Sequence, residues 1–286
     1  MLILLYKKGK YDIYFNMINY IDFKKIFEHI NNLSWIKNVD DKETFEIALS
    51  AFENLKKNKT KNKKIIRIIG QSGSGKTTQL LPASKEYCNK KGISPIVFAV
   101  RNFASLHPEY DKLLQDYGKS NIREKTNNFA LKCLLINLIK AIEEGYDIIF
   151  EVTFLTKEFE DFVNKYLKKN GYQCLYLCCA VNKDISDSFI KKREENKFSQ
   201  ECNRIVYKSS SDFFYKNLIK MMKYYSLNFS KETIIIWNAF DKKPVFYGNF
   251  RESFVVFEKE IKNSSNNFQN EKELLDEKIK FLCGLD

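Results

Sequence analysis

Gly70-Gln71-Ser72-Gly73-Ser74-Gly75-Lys76-Thr77-Thr78 gathers three glycines, one lysine and two threonines into one short stretch. Residues of these types at this spacing can hold a phosphate chain. Glycines let backbone N–H groups turn inward around anionic oxygens, and a helix that starts here points its positive end at the same place. The order Gly, four residues, Gly, Lys, Thr is the P-loop, or Walker A, pattern. In that pattern Lys76 reaches the β- and γ-phosphates and the Thr77 hydroxyl ligates Mg²⁺. Gly70, Gln71, Ser72, Gly73, Ser74, Gly75, Lys76, Thr77 and Thr78 are therefore the expected nucleotide-binding residues, with ATP or GTP and Mg²⁺ as the implied ligands. The bland alternative is a glycine-rich turn with an accidental lysine.

Context separates the two. Lys64-Ile65-Ile66-Arg67-Ile68-Ile69 immediately precedes the glycines and is a β-branched run suited to a buried strand. Thr77 to Lys91 is helix-compatible, with Pro82 expected to kink it. Strand, glycine loop and helix is the arrangement that the phosphate chemistry needs. The chain then alternates. Ile96–Val100, Asp147–Val152, Tyr172–Val181 and Thr233–Trp237 read as strands, with Val245–Tyr247 as a short hairpin partner. Asn121–Glu144, Lys157–Lys169, Asp184–Lys197 and Asn203–Tyr225 read as helices. Such alternation predicts an α/β fold, a P-loop NTPase-type parallel sheet flanked by helices. Ligands in such sheets lie at the carboxyl ends of the strands. That rule draws attention to Arg101 beyond the second strand, and to Glu151 and Thr153 at the end of the third. Glu151 could equally cap its strand or pair with a lysine, and Thr153 could be an ordinary strand-end threonine.

Before the P-loop strand, Phe23, Ile26, Phe27 and Ile30 recur at helical spacing within Ile21–Leu33. Phe45, Ala48, Leu49, Phe52 and Leu55 repeat the pattern within Asp40–Lys57. Asp40 and Asp41 suit the start of that second helix. The predicted organisation is a helical N-terminal extension (1–63), a P-loop core (64–250) and a C-terminal helical tail (251–286). Within the tail, 263–270 is rich in Asn and Ser and Glu271–Leu282 is a charged helix.

The formal net charge of +12 suits an anionic substrate. Lysine is spread along the chain, including the connector Lys56–Lys64, so a dedicated nucleic-acid surface is the lesser reading and stays open. The seven cysteines are an odd number without disulfide-framework spacing, which favours free buried thiols and a reducing, cytoplasmic setting over a zinc site. Met1–Tyr6 is too short and too soon followed by charge to read as a membrane helix or signal peptide, and no stretch is expected to span a membrane.

Further landmarks resemble the zeta-toxin group of P-loop kinases. They are the loop Arg101-Asn102-Phe103-Ala104-Ser105-Leu106-His107-Pro108, the strand ending Glu151-Val152-Thr153, the helix Ile190-Lys191-Lys192-Arg193-Glu194, Arg204, and the turn from Trp237-Asn238 to Asp241. The resemblance covers about residues 64–248. It implies transfer of the γ-phosphate of ATP or GTP to a hydroxyl of a UDP-activated amino sugar, and neutralisation by a small helical antitoxin. With it, Lys76, Arg193 and Arg204 read as catalytic, with Glu151 as the replacement base, while Arg101, Glu151 and Thr153 read as substrate-binding from their places at the carboxyl ends of strands. Without it, Arg193 would be read as part of a solvated Lys/Arg-rich face and His107 as a turn histidine ahead of Pro108. The chain departs from the family at two places. Arg101 occupies the position of the family's base aspartate, and Leu155 replaces an arginine. An arginine cannot accept a proton, so Glu151 is the leading candidate for that role, ahead of Asp111 and Asp116. A nucleotide-binding protein without catalysis, and a nucleotide or polynucleotide kinase, are the alternatives.

Overall fold

The computed structural model describes residues 20–31, 39–153, 156–195 and 208–262. The chain forms two compact units, Met1–Lys57 with Val100–Lys140, and Asn58–Ala99 with Ala141–Asp286.

The second unit is built on a six-stranded sheet of order β2-β3-β1-β4-β5-β6. Its strands are β1 (Lys64–Gly70), β2 (Ile96–Ala99), β3 (Ile148–Glu151), β4 (Gln173–Ala180), β5 (Thr233–Asn238) and β6 (Lys243–Asn249). The first five run parallel, and β6 folds back antiparallel on β5. A parallel sheet covered on both faces needs strands that are apolar throughout. Accordingly Ile65, Ile68, Ile69, Ile148, Ile149, Phe150, Cys178, Cys179, Ile234 and Ile236 are all buried. The helices of this unit are α3 (Leu81–Lys90), α5 (Lys157–Lys169), α6 (Lys183–Glu195), α7 (Lys208–Asn228) and α8 (Phe250–Lys262). The helix α8 was expected only as part of a terminal tail. It buries Phe250, Phe257 and Ile261 and packs on β5, β6 and α7.

In the first unit, α1 (Tyr20–Asn31) and α2 (Asp41–Leu55) accompany α4 (Tyr110–Glu143), most of which belongs there. The expected apolar stripe of α1, Phe23, Ile26, Phe27 and Ile30, is buried. Asp40 caps α2 by accepting from the N–H groups of Lys42 at 2.9 Å and Glu43 at 3.2 Å. Buried Lys132 of α4 reaches Asp41 at 2.6 Å, and Asn137 donates to the Ala48 carbonyl at 3.0 Å.

Helix α4 starts earlier than the expected Asn121. A first stretch begins at Tyr110 and meets the second at Gly118, whose φ of 71° and ψ of 168° are not helical. Asp111, Lys112, Gln115 and Asp116 in the first stretch are exposed, so it lacks the apolar periodicity that marks the second. Among the described residues, no helix is long and apolar enough to cross a membrane. The described cysteines, Cys88, Cys133, Cys174, Cys178 and Cys179, are free. The expected helix Glu271–Leu282 lies outside the described residues.

Candidate active site

Strand β1 delivers the chain to Gly70 at the carboxyl edge of the sheet, beside Cys179 of β4. A Cβ on Gly70 would come within 2.7 Å of Ser74 Oγ and 2.9 Å of the Cys179 carbonyl. Gly73 and Gly75 take φ values of 75° and 95°, which favour glycine. The loop curls tightly: Gln71 is buried and donates from Nε2 to the Val181 carbonyl at 2.7 Å, tying the cradle to the end of β4. Ser72 and Ser74 are buried in the same curve.

Lys76 places its ammonium inside the loop, donating to the carbonyls of Gly70 at 2.6 Å and Gln71 at 2.7 Å. The turn Lys76–Leu80 is π-helical, closed by the Leu81 N–H on the Lys76 carbonyl. Pro82 follows in the first turn of α3. It has no N–H to give and cannot close a regular turn behind it. The kink expected at Pro82 is therefore a widened turn just before it, and that turn carries Thr77. Thr78 is exposed, its hydroxyl 3.4 Å from the Gly75 carbonyl.

Glu151 reaches the loop because β3 lies directly beside β1, with Glu151 opposite Ile68. The Thr77 hydroxyl donates to Glu151 Oε1 at 2.5 Å. Glu151 is buried, and Thr153 stands half-buried just beyond it. In the sequence Thr77 and Glu151 are separate expectations, one for the metal and the other as base and substrate contact. The structure joins them.

Gln79, which the sequence did not single out, forms the opposite wall. It accepts from Trp237 Nε1 at 2.7 Å and donates to the Ala239 carbonyl at 2.9 Å, fastening the π-helical turn to the end of β5. A glutamine in a polar helical stretch carries no sequence signal for this. Helix α6 supplies another contact invisible in sequence, since it is made by main chain. A Cβ on Gly73 would lie 2.4 Å from the Ser186 carbonyl and 2.9 Å from Ile190 Cγ1.

Arg101 is exposed and belongs to the first unit, in the 3₁₀ run Val100–Leu106. The backbone of Arg193 lies in α6, while its side chain, Leu155 and Arg204 lie outside the described residues. His107 is a turn residue. Its Nδ1 accepts from the Glu109 N–H at 3.1 Å, and its ring meets Phe129 edge-on at 5.0 Å. Burial holds its pKa below the ordinary value despite Glu109 and Glu43.

The donor set fits the implied ligands. The loop is a cradle that Cβ atoms would fill. Thr77 and Glu151 are hard oxygen donors at its mouth, and Mg²⁺ typically takes one or two protein oxygens and leaves the rest to phosphate and water. No group of three His, Cys, Asp or Glu suited to a metal occurs among the described residues.

Parallel sheet, glycine cradle and strand-end carboxylate together define an α/β protein of P-loop kinase fold. Within that class the chain belongs to the zeta toxin family, whose model matches residues 50–252. Toxin PezT of Streptococcus pneumoniae serotype 4 (strain ATCC BAA-334 / TIGR4) is 27% identical over 188 residues, which is 64% of this chain and 72% of PezT. A solved structure from the PezAT chromosomal toxin–antitoxin system of Streptococcus pneumoniae aligns over 87% of this chain and 97% of its own. Its TM-score is 0.62 at 24% identity, a likeness of fold.

Proposed function

We propose that the protein is a phosphotransferase that moves the γ-phosphate of ATP or GTP to a hydroxyl of a UDP-amino sugar or related anionic small molecule. The observation that carries this reading is the Thr77–Glu151 pair, 2.5 Å apart at the mouth of the cradle. A carboxylate beside the P-loop hydroxyl is what a kinase needs to orient a metal-bound triphosphate. Mg²⁺, when bound, would neutralise charge on the phosphate oxygens. The chain's own groups do the rest. Backbone N–H groups of the loop fix the phosphates, and Lys76 exchanges its loop carbonyls for phosphate oxygen. Positioning and charge balance carry most of phosphoryl transfer.

Arg193 is proposed for a role at the transferring group. It follows Ser186 by seven positions and Ile190 by three, so the three share one stripe of α6. Ser186 and Ile190 are the residues of that stripe that meet Gly73. Arg204 is proposed as the second arginine on the resemblance alone. Because Glu151 is engaged with Thr77, it serves the metal side first; Thr153 is proposed for the acceptor, and Arg101 is proposed for it from its position in the sequence alone. Arg101 in place of an aspartate also favours a second reading, nucleotide binding without transfer. A partner antitoxin is proposed from the toxin–antitoxin system of PezAT.

The deciding experiment offers labelled ATP and GTP with UDP-amino sugars, nucleosides and oligonucleotides, with Lys76→Ala as control. Label on a UDP-amino sugar, absent from the control, is expected. Nucleotide binding without label on any acceptor would replace this reading with the second one.

A further inference from the structure

Helix α6 is fastened by an ionic cluster that phosphate binding does not require. Lys183 Nζ pairs with Asp187 one turn further on and lies 2.7 Å from Asp212 Oδ1 of α7. Ser211, buried at the start of α7, donates to Asp187 Oδ1 at 2.7 Å. An isolated i,i+4 Lys–Asp pair on a surface contributes little. This one differs because Asp187 also takes a buried hydroxyl from another helix, and Lys183 spans carboxylates on two helices. Alongside that cluster α6 presents the Ser186 carbonyl and Ile190 to Gly73, a glycine held at positive φ in the phosphate cradle. Asn182 seeds the helix, its Oδ1 accepting from the Asp184 N–H at 2.8 Å.

We propose that Lys183, Asp187, Ser211 and Asp212 form a staple that presses α6 onto Gly73, with Asp187 as a positioning residue for phosphoryl transfer. Asp187 touches no phosphate in this account. It acts by fixing the helix whose stripe Ser186–Ile190–Arg193 both closes the cradle and carries the arginine, about 10 Å along the helix from Ser186. A misplaced helix leaves the nucleotide bound and the charge balance wrong. That lowers turnover more than affinity.

The proposal rests on the phosphotransfer reading for its kinetics but not for its structural half. Two readouts therefore serve, amide hydrogen exchange at Gln71–Lys76 and steady-state kinetics, on wild type, Asp187→Asn, Arg193→Ala and the double variant. Asp187→Asn is expected to speed exchange at the cradle about tenfold while the melting temperature moves little. It is expected to lower kcat about tenfold at unchanged nucleotide KM, and to add nothing on top of Arg193→Ala. Unchanged cradle exchange, or losses that add to those of Arg193→Ala, would overturn it. If Asp187→Asn does not fold, Ser211→Ala removes one bond to the same carboxylate. The same pattern at smaller size is expected, and wild-type behaviour would overturn the staple. A wild type without turnover, whose cradle still loosens in Asp187→Asn, retires the kinase reading and keeps the staple. Turnover that Asp187→Asn leaves intact does the reverse.

Discussion

Arg67 and Gly70 stand three positions apart on the same strand, and their polar surroundings solve opposite problems. Arg67 is fully buried and closed on itself. It meets Glu160 at 2.5 Å, Tyr225 at 3.0 Å and Asn164 at 3.1 Å, between the rings of Phe150 and Tyr176. Burial works against its charge, yet Glu160, Tyr225 and Tyr176 overcome that penalty and raise its pKa. Around Gly70 the groups are held instead by the loop's own carbonyls and by Thr77 against Glu151. A buried charge needs a permanent partner. A site needs partners it can exchange for a ligand. The same strand thus carries a permanent ion pair and, three residues later, a set of exchangeable bonds.

Lys76→Ala breaks the open side most deeply. It is expected to cost on the order of a thousandfold in phosphoryl transfer, with little change in melting temperature. Rates with labelled ATP and a thermal melt check both halves. Glu160→Gln breaks the closed side, leaving Arg67 charged and unpaired. The expected loss is about 3 kcal/mol of stability by urea unfolding. Arg67 Nε and Glu160 Oε1 have no hydrogen-bond partner among the described residues. The double variant Arg67→Met/Glu160→Leu should therefore recover most of that loss, and a double variant as unstable as the single would contradict this account.

Gly73→Ala tests the contact between cradle and α6. A Cβ 2.4 Å from the Ser186 carbonyl, at a φ of 75°, demands movement of main chain. A stability loss of about 1–3 kcal/mol is expected, with nucleotide affinity weakened about tenfold in a titration. The smallest effect sharpens the closed side. Burial raises the Glu232 pKa and Arg67 partly lowers it. An acid with a raised folded pKa is most favourable protonated, and that stability is lost as pH rises from its ordinary 4.5 through the folded value. Glu232→Gln should gain under about 1 kcal/mol at pH 7 and nothing near pH 3. The gain should grow in the Arg67→Met/Glu160→Leu background. Equal effects at both pH values would remove Glu232 from the cluster.

Much of the fold was legible because its signals are local. The Walker A spacing located the cradle, β-branched runs located β1 and β5, an apolar run located β4, and Lys157–Lys169 appears as α5 with the expected bounds. Asp40 announced the start of α2 by its capping chemistry. The first stretch of α4 was not legible, since exposed Asp111, Lys112, Gln115 and Asp116 show no apolar face and Gly118 interrupts the pattern. Arg67 was read as one polar letter in an apolar run. Its burial depends on Glu160, Asn164, Tyr176 and Tyr225, which arrive from three other elements.

By itself the sequence determined the site's inventory: glycines that can bend around phosphate, a lysine, a threonine and a strand-end glutamate. Those follow from residue type and short spacing, which chain connectivity enforces directly. Tertiary structure alone decided which of them meet. Thr77 and Glu151 are 74 positions apart and become neighbours because β3 inserts beside β1. Gln79 finds Trp237 across 158 positions. Ser186 touches Gly73 through a carbonyl, a group that every residue owns and that no sequence pattern distinguishes.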